Sequence, residues 1–185
     1  VRGGFAGLVY RMACQVRAPY PLPQTMPPLL IGTWGRKLGA LAGELADEVK
    51  GGGSANPAFA PVMRGYIQEG ERRAGRDPGS VGLVMGAVSV ADEDRARARR
   101  AAKEAVALYL PVVTPLDPTL SIEPDLVQRI QRHVEREEKR QAADLVSDEL
   151  LERFAFAGNA ADLVRQVEAL FASGVDRVEL GTPHG

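Results

Sequence analysis

A chain of 185 residues with 45% hydrophobic and 25% charged residues and a formal charge of −1 reads as one globular unit of ordinary size. That balance offers no field to draw nucleic acid or an anionic membrane, and no apolar run reaches the roughly 18 residues of a spanning helix. The single cysteine, Cys14, excludes an internal disulfide, two histidines spell out no metal cluster, and without a secretory signal pattern the cytoplasm is the plain expectation.

Val1 in place of Met, and a strand-like segment that runs almost to Gly185, suggest a piece of a longer protein. Residues 1–28 are expected to form an extended segment. Pro19, Pro21, Pro23, Pro27 and Pro28 lack the N–H donor, and their rings clash with a preceding helical turn. Leu29-Leu30-Ile31 is short, apolar and bounded by proline and glycine, which predicts a strand buried on both faces, as in a parallel sheet. Leu38, Leu41, Ala42 and Leu45 recur at i, i+3, i+4 and i+7, so a helix is expected over 36–47 with these residues on one face. Val49-Lys50-Gly51 reads as a short strand. Asn56-Pro57 then gives an N-cap with proline at the first helical position. The helix that follows stacks Phe59, Val62, Met63, Tyr66 and Ile67 on one face and stops at Gly75.

The longest expected strand covers 81–90, interrupted by Gly82 and Gly86. Asp92 or Asp94 caps a charged helix expected to end before Pro111, with a loop over 111–118. A helix is expected from Ser121 to about Ala143, with Leu126, Val127, Ile130 and Val134 inward, and Ser147 caps a short turn. Asn159 with Asp162 three residues on resembles a capping box. The helix behind it ends at Gly174, and 175–180 reads as a strand finishing in Gly181-Thr182-Pro183-His184-Gly185. Strand and helix alternate throughout, which is the grammar of a parallel α/β fold. Four strands fit either a small open sheet or half of an eight-stranded barrel.

In such folds ligands sit at the carboxyl ends of the strands. Three of those ends are glycine-rich: Gly32-Thr33-Trp34-Gly35, Gly51-Gly52-Gly53-Ser54 and the terminal Gly181 to Gly185. Glycine lets backbone approach a ligand, and the free N–H groups at a helix start favour an anion. Arg36 and Lys37 add positive charge, so Gly32 to Lys37 forms a candidate phosphate cradle. The plainer reading of each loop is a tight strand-to-helix turn, and the spacing is G-x-x-G rather than a Rossmann or Walker pattern. Lys50 on its strand either faces inward or snorkels outward. Glu179 alternates with Val178 and Leu180 and reads as buried and paired. His133 reads as a surface residue on a charged helix, and the basic run from Arg95 to Lys103 as a solvated face. No Ser-His-Asp set or pair of catalytic carboxylates is present.

The segments PPLLIGTWGRKLGALAGELADEVKGGGSANP and FAFAGNAADLVRQVEALFASGVDRVELGTPHG resemble the luciferase-like flavin and deazaflavin oxidoreductases. Within them the likeness is closest to the branch of methylenetetrahydromethanopterin reductase. It covers nearly all of residues 27–185. It implies that residues 29–185 are the C-terminal half of a (βα)8 TIM barrel, an α/β fold with extra helices inserted before the last strand. It also implies a cofactor, a deazaflavin (coenzyme F420) or FMN, held at the phosphate by the loop matching Gly32, Thr33, Trp34 and Gly35, near Arg36 and Lys37. The loop matching Gly51 and Gly52 would lie at the same mouth, with Ser54 and His184 on the substrate side. Trp34 stands where many members carry a small residue. The implied activity is hydride transfer between that cofactor and a small organic substrate, with the chain inactive alone because half of the pocket lies elsewhere. The alternatives are an FMN-dependent monooxygenase and a non-catalytic half-barrel module or remnant that self-associates. A half barrel leaves sheet edges free to pair with another chain, a homodimer among the options.

Overall fold

The computed structural model describes residues 5–9, 11–12, 21 and 24–181. Near the start, β1 (Phe5–Ala6) and β2 (Arg11–Met12) pair as a small antiparallel ribbon. The main sheet holds β3 (Leu30–Gly32), β4 (Glu48–Gly52), β5 (Gly82–Ala91), β6 (Ala155–Gly158) and β7 (Arg177–Gly181), and every pairing in it is parallel.

Three strands lean on β5. β4 pairs with it over Gly82–Gly86, β7 over Val84–Val88, and β6 takes up the outer end over Val88–Ala91. The series β3, β4, β5, β7 follows chain order without reversal. An open doubly wound sheet reverses at a switch point, whereas a barrel does not.

Helices α1 (Arg36–Leu45), α2 (Ala60–Ala74) and α7 (Ala160–Ala172) cover one face of this series. The core between them and the sheet is built on Val49, Phe59, Met63, Ile67, Leu83, Met85 and Leu170, none of which is exposed. A second core joins β6 to α3 (Arg95–Val113), α4 (Pro124–Glu135), α5 (Lys139–Asp144) and α6 (Asp148–Phe154).

Local signals act as their chemistry requires. Asn56 caps a 3-10 turn, Pro57–Phe59, that runs into α2, and α2 closes on Gly75 in the left-handed region at φ 66°. The Asp94 carboxylate accepts from the N–H groups of Ala96 and Arg97. Asn159 and Asp162 form a complete capping box at α7.

Several expectations are corrected. β3 is not buried on both faces: Leu29 and Leu30 are exposed, because β3 pairs only with β4 among the described residues. The leucine face of α1 is not the buried one. Leu38, Leu41 and Leu45 are 42%, 43% and 63% exposed, while Gly39, Ala40, Ala42 and Gly43 are buried. Those small residues let α1 and α2 approach until their backbones nearly touch. A Cβ on Gly43 would stand 2.1 Å from the Ile67 carbonyl oxygen, and one on Gly70 1.8 Å from that of Ala40.

Pro111 does not stop α3 but sits in its last turn, where the Thr114 N–H and hydroxyl both reach the Leu110 carbonyl. The helix expected from Ser121 to about Ala143 is two, α4 and α5. Glu137 takes a positive φ of 59° between them, and the Glu138 N–H bonds back to His133. β6 had no counterpart among the expected elements. Its backbone is held from the side by Gln166, whose amide accepts from Ala157 N–H and donates to the Ala155 carbonyl.

Candidate functional site

The sheet face opposite the helices carries alternate residues of each strand. From β4 come Glu48, Lys50 and Gly52, from β5 Gly82, Val84, Gly86 and Val88, and from β7 Arg177, Glu179 and Gly181. Glycine at 82 and 86 decides what happens here. A Cβ on Gly86 would stand 2.8 Å from both the Cβ and the carbonyl oxygen of Glu179, and one on Gly82 3.3 Å from Glu48 Cγ. Gly82 and Gly86 leave room on either side of the buried Val84, the register partner of both Lys50 and Arg177, so residues of β4 and β7 meet diagonally across β5. Lys50 Nζ lies 2.6 Å from Glu179 Oε2, and below it Arg177 pairs with Glu48. Lys50 therefore faces inward. Glu179 is paired as expected but not buried, its side chain being 45% exposed.

Above the upper ion pair opens a cavity of about 480 Å³ at the carboxyl ends of the strands. Lys50, Gly52, Gly86 and Glu179 form its floor, and Tyr109 and Val113 of α3 wall one side. The Tyr109 hydroxyl donates to the Phe154 carbonyl (2.5 Å), and burial raises its pKa above the ordinary tyrosine value. The tyrosine thus serves as a fixed, neutral wall.

The two glycine loops singled out in the sequence lie side by side. Thr33 N–H donates to the Lys50 carbonyl (2.9 Å), and the Trp34 indole N–H to the Gly52 carbonyl (2.8 Å). The Trp34 ring stacks on Phe59, with centroids 4.8 Å apart. Gly35 N–H is taken by the Thr33 hydroxyl, and no side chain caps the start of α1. Gly32 opens onto free space: a Cβ there would meet nothing within 4 Å.

The charged neighbours go elsewhere. Arg36 pairs with Glu69 of α2 at 2.9 Å, and with Lys37 it lines a shallow groove on the outer surface beside Arg73. Gly51 turns toward Phe59 and Met85 in the core, so of this pair Gly52 reaches the cavity. Ser54 is fully buried, its hydroxyl accepting from Asn56 N–H. His184 lies outside the described residues.

Sequence reasoning passed over the polar knot behind β4. Asn56 donates to Asp117 and Thr119, both at 2.8 Å, and accepts from Arg153 at 3.0 Å. The knot ties the loop after β4 to the inserted helices that carry Tyr109. Nothing local in the sequence joins residues this far apart. The glycines of β5 were more readable, since 82 and 86 lie four apart and so share one face of a strand. Among the described residues no group of three or more His, Cys, Asp or Glu side chains could hold a metal ion. No helix there is long and apolar enough to cross a membrane.

Parallel strands in chain order, helices over one face and a glycine-floored cavity at the strands' carboxyl ends define about half of a TIM barrel. The chain belongs to the luciferase-like monooxygenase family, whose model matches residues 5–177. It is 29% identical over 161 residues to the 5,10-methylenetetrahydromethanopterin reductase of Methanopyrus kandleri, a match covering 85% of this chain and 45% of that one. The same enzyme of Archaeoglobus fulgidus is 29% identical over 166 residues, covering 85% and 49%. Among solved structures, the coenzyme F420-dependent tetrahydromethanopterin reductase of Methanopyrus kandleri superposes with a TM-score of 0.73 at 26% identity. That match covers 84% of this chain and 45% of the other. The chain thus spans about half the length of the curated relatives it matches.

Proposed function

We propose that this chain is part of an oxidoreductase that transfers a hydride between a deazaflavin, coenzyme F420, and a small organic substrate, with FMN the alternative cofactor. One observation carries the reading: the glycine-floored cavity beside the paired loops Gly32–Gly35 and Gly51–Gly52, in a chain whose relatives are F420-dependent reductases. The residues fit such a group. Gly32 leaves open space, a Cβ on Gly52 would meet only Lys50 Cε at 3.5 Å, and α1 starts without a side-chain cap. Helix-start N–H groups without intrahelical partners favour an anion such as a phosphate.

The cofactor supplies the hydride chemistry when bound. The chain's own residues would then position it. The uncapped α1 start would hold the phosphate beside the open space at Gly32, Gly52 and Gly86 would let a flat ring approach the floor, and Tyr109 with Val113 would shield one side from water. Arg36 and Lys37 contribute long-range positive charge from the outer surface. With one wall of the cavity open, the chain alone is expected to bind weakly and not to turn over. This openness equally favours a second reading, a non-catalytic half-barrel module.

A fluorescence titration of the purified chain with coenzyme F420 and with FMN tests the proposal. Micromolar binding of one cofactor, weakened at least tenfold by Gly52→Val and by Gly35→Val in folded protein, is the expected result. Affinity unchanged in both variants would refute the mouth assignment. Absence of binding to either cofactor would favour the non-catalytic module.

A further inference from the structure

The cavity at the strands' carboxyl ends holds very little polar chemistry. Its lining is glycine, alanine and valine apart from Lys50, Glu179 and Tyr109, and the Tyr109 hydroxyl is already given to the Phe154 carbonyl. The side-chain groups of this chain left to meet a ligand there are the Lys50 ammonium and the Glu179 carboxylate. The two ion pairs on this face differ in how far their groups are used. Below, Arg177 Nε and Nη2 donate to the two oxygens of Glu48, which closes that pair on itself. Above, Lys50 meets Oε2 of Glu179 at 2.6 Å, and among the described residues neither side chain has another hydrogen-bond or ion-pair partner. An ammonium has three N–H donors and a carboxylate about four acceptor sites, so both keep capacity to spare. The two side chains are 27% and 45% exposed, so a ligand can reach that capacity.

Charge and shape narrow what can use it. The pair sums to zero and no other charged residue lines the cavity, so a free anion or cation gains at one partner what it loses at the other. A neutral ligand with an acceptor beside a donor uses both. In an amide closed into a ring, the C=O and N–H point the same way. Its oxygen and nitrogen stand about 2.2 Å apart by standard bond lengths, close to the 2.6 Å between Nζ and Oε2, so two nearly parallel hydrogen bonds form at once. The floor is flat where such a ring would lie. Gly52 and Gly86 are register partners, and Gly181 stands one level above Glu179 on β7.

We infer that Lys50 and Glu179 form a clamp for the edge of a planar cyclic amide, a lactam or an imide. Lys50 donates to its carbonyl oxygen and Glu179 accepts from its N–H. Both bonds are charge-assisted, which makes them shorter and stronger than neutral ones, so the clamp orients the ring as well as holding it. The inference rests on the mouth reading proposed above and adds which chemical group faces the floor. Two ligands can supply that group: the cofactor ring, whose pyrimidine part is an imide, and a substrate that carries a lactam.

Riboflavin is the first probe, because it has the imide edge and no phosphate. A failed clamp is then distinct from a failed phosphate cradle, which Gly35→Val reads with coenzyme F420. Fluorescence titration of the full chain should show binding that weakens at least tenfold when the imide nitrogen of the ring is methylated, a comparison that needs no variant. Lys50→Met and Glu179→Met, with folding confirmed by circular dichroism, should each weaken riboflavin at least tenfold and leave the methylated ligand within twofold. Coenzyme F420 and uracil then separate the two sources. A tenfold loss of F420 affinity in Lys50→Met gives the clamp to the cofactor ring. Unchanged F420 affinity, with uracil bound to the F420-loaded chain and lost in Lys50→Met, gives it to the substrate. No binding of riboflavin up to its solubility limit, equal affinity for the methylated ring, indifference to both substitutions, or unchanged F420 affinity with no uracil bound would each overturn the inference.

Discussion

Replacing Gly70 by alanine should destabilise this protein although alanine is the better helix former. The Cβ would stand 1.8 Å from the Ala40 carbonyl oxygen and 2.8 Å from the Glu44 nitrogen, both backbone atoms of α1. No rotamer relieves such a contact, so α1 and α2 must separate by more than 1 Å, opening the core at Ala42, Met63 and Ile67. Overpacking costs about 1–3 kcal/mol. A backbone-to-backbone clash belongs at the upper end of that range, and the propensity gain of about 1 kcal/mol offsets part of it. The expected net loss is about 2 kcal/mol, a fall in Tm of roughly 4–8 °C for a chain of this size. Gly65 is the control. It lies in the same helix, is exposed, and its Cβ would meet nothing within 4 Å. Gly65→Ala should therefore stabilise by about 0.5–1 kcal/mol. Thermal and urea unfolding followed by circular dichroism read both. A Gly70→Ala variant as stable as Gly65→Ala would refute the close-crossing argument.

Gly86→Ala should cost about 1–3 kcal/mol, because the new Cβ meets β7 backbone at Glu179 and drives β7 away from β5; unchanged urea midpoints would count against it. Burial pushes the Asp176 carboxyl up, but the Leu83 N–H and the Arg64 guanidinium, 2.7 and 2.5 Å away, outweigh burial and hold it below its ordinary value. A folded-state pKa below the unfolded one contributes stability above the unfolded value of about 4, lost as pH falls through the folded value. Asp176→Asn should flatten the loss of urea stability between pH 6 and pH 3, and an unaltered pH profile would refute that assignment. Asn159→Ala removes half of the α7 capping box and should cost about 1 kcal/mol, read as a lowered urea midpoint at unchanged m.

Signals that act within one turn of helix were legible: the Asn159–Asp162 box, Gly75 closing α2, and Asp94 at the head of α3. Signals that depend on a neighbour were not. The periodicity of Leu38, Leu41, Ala42 and Leu45 marks an apolar face but not what covers it; of these only Ala42 is buried, and Gly39 and Gly43 join it in the interior because they admit α2 most closely. The β6 strand follows α6 without a turn residue, so its apolar run gave no boundary to read. At the site, the glycine loops were readable from composition, and their adjacency followed from strand order. The destination of Arg36 was not, because Glu69 lies 33 residues away on another helix. Lys50 and Glu179, 129 residues apart, meet diagonally across β5, where Gly86 opposite Glu179 leaves room.

β5 is the keystone of the molecule. Three strands hydrogen-bond to its ten residues, and Asp176, just before β7, accepts from the Leu83 N–H. The amides of β5 should therefore exchange with solvent only when the whole chain opens, while those of β3 exchange through smaller excursions. The pairing of β7 with β5 also joins residues about 93 positions apart, a loop that must close before the sheet gains its last strand. Formation of this pairing should then be slow, with β5 a half-paired template during synthesis until β7 arrives.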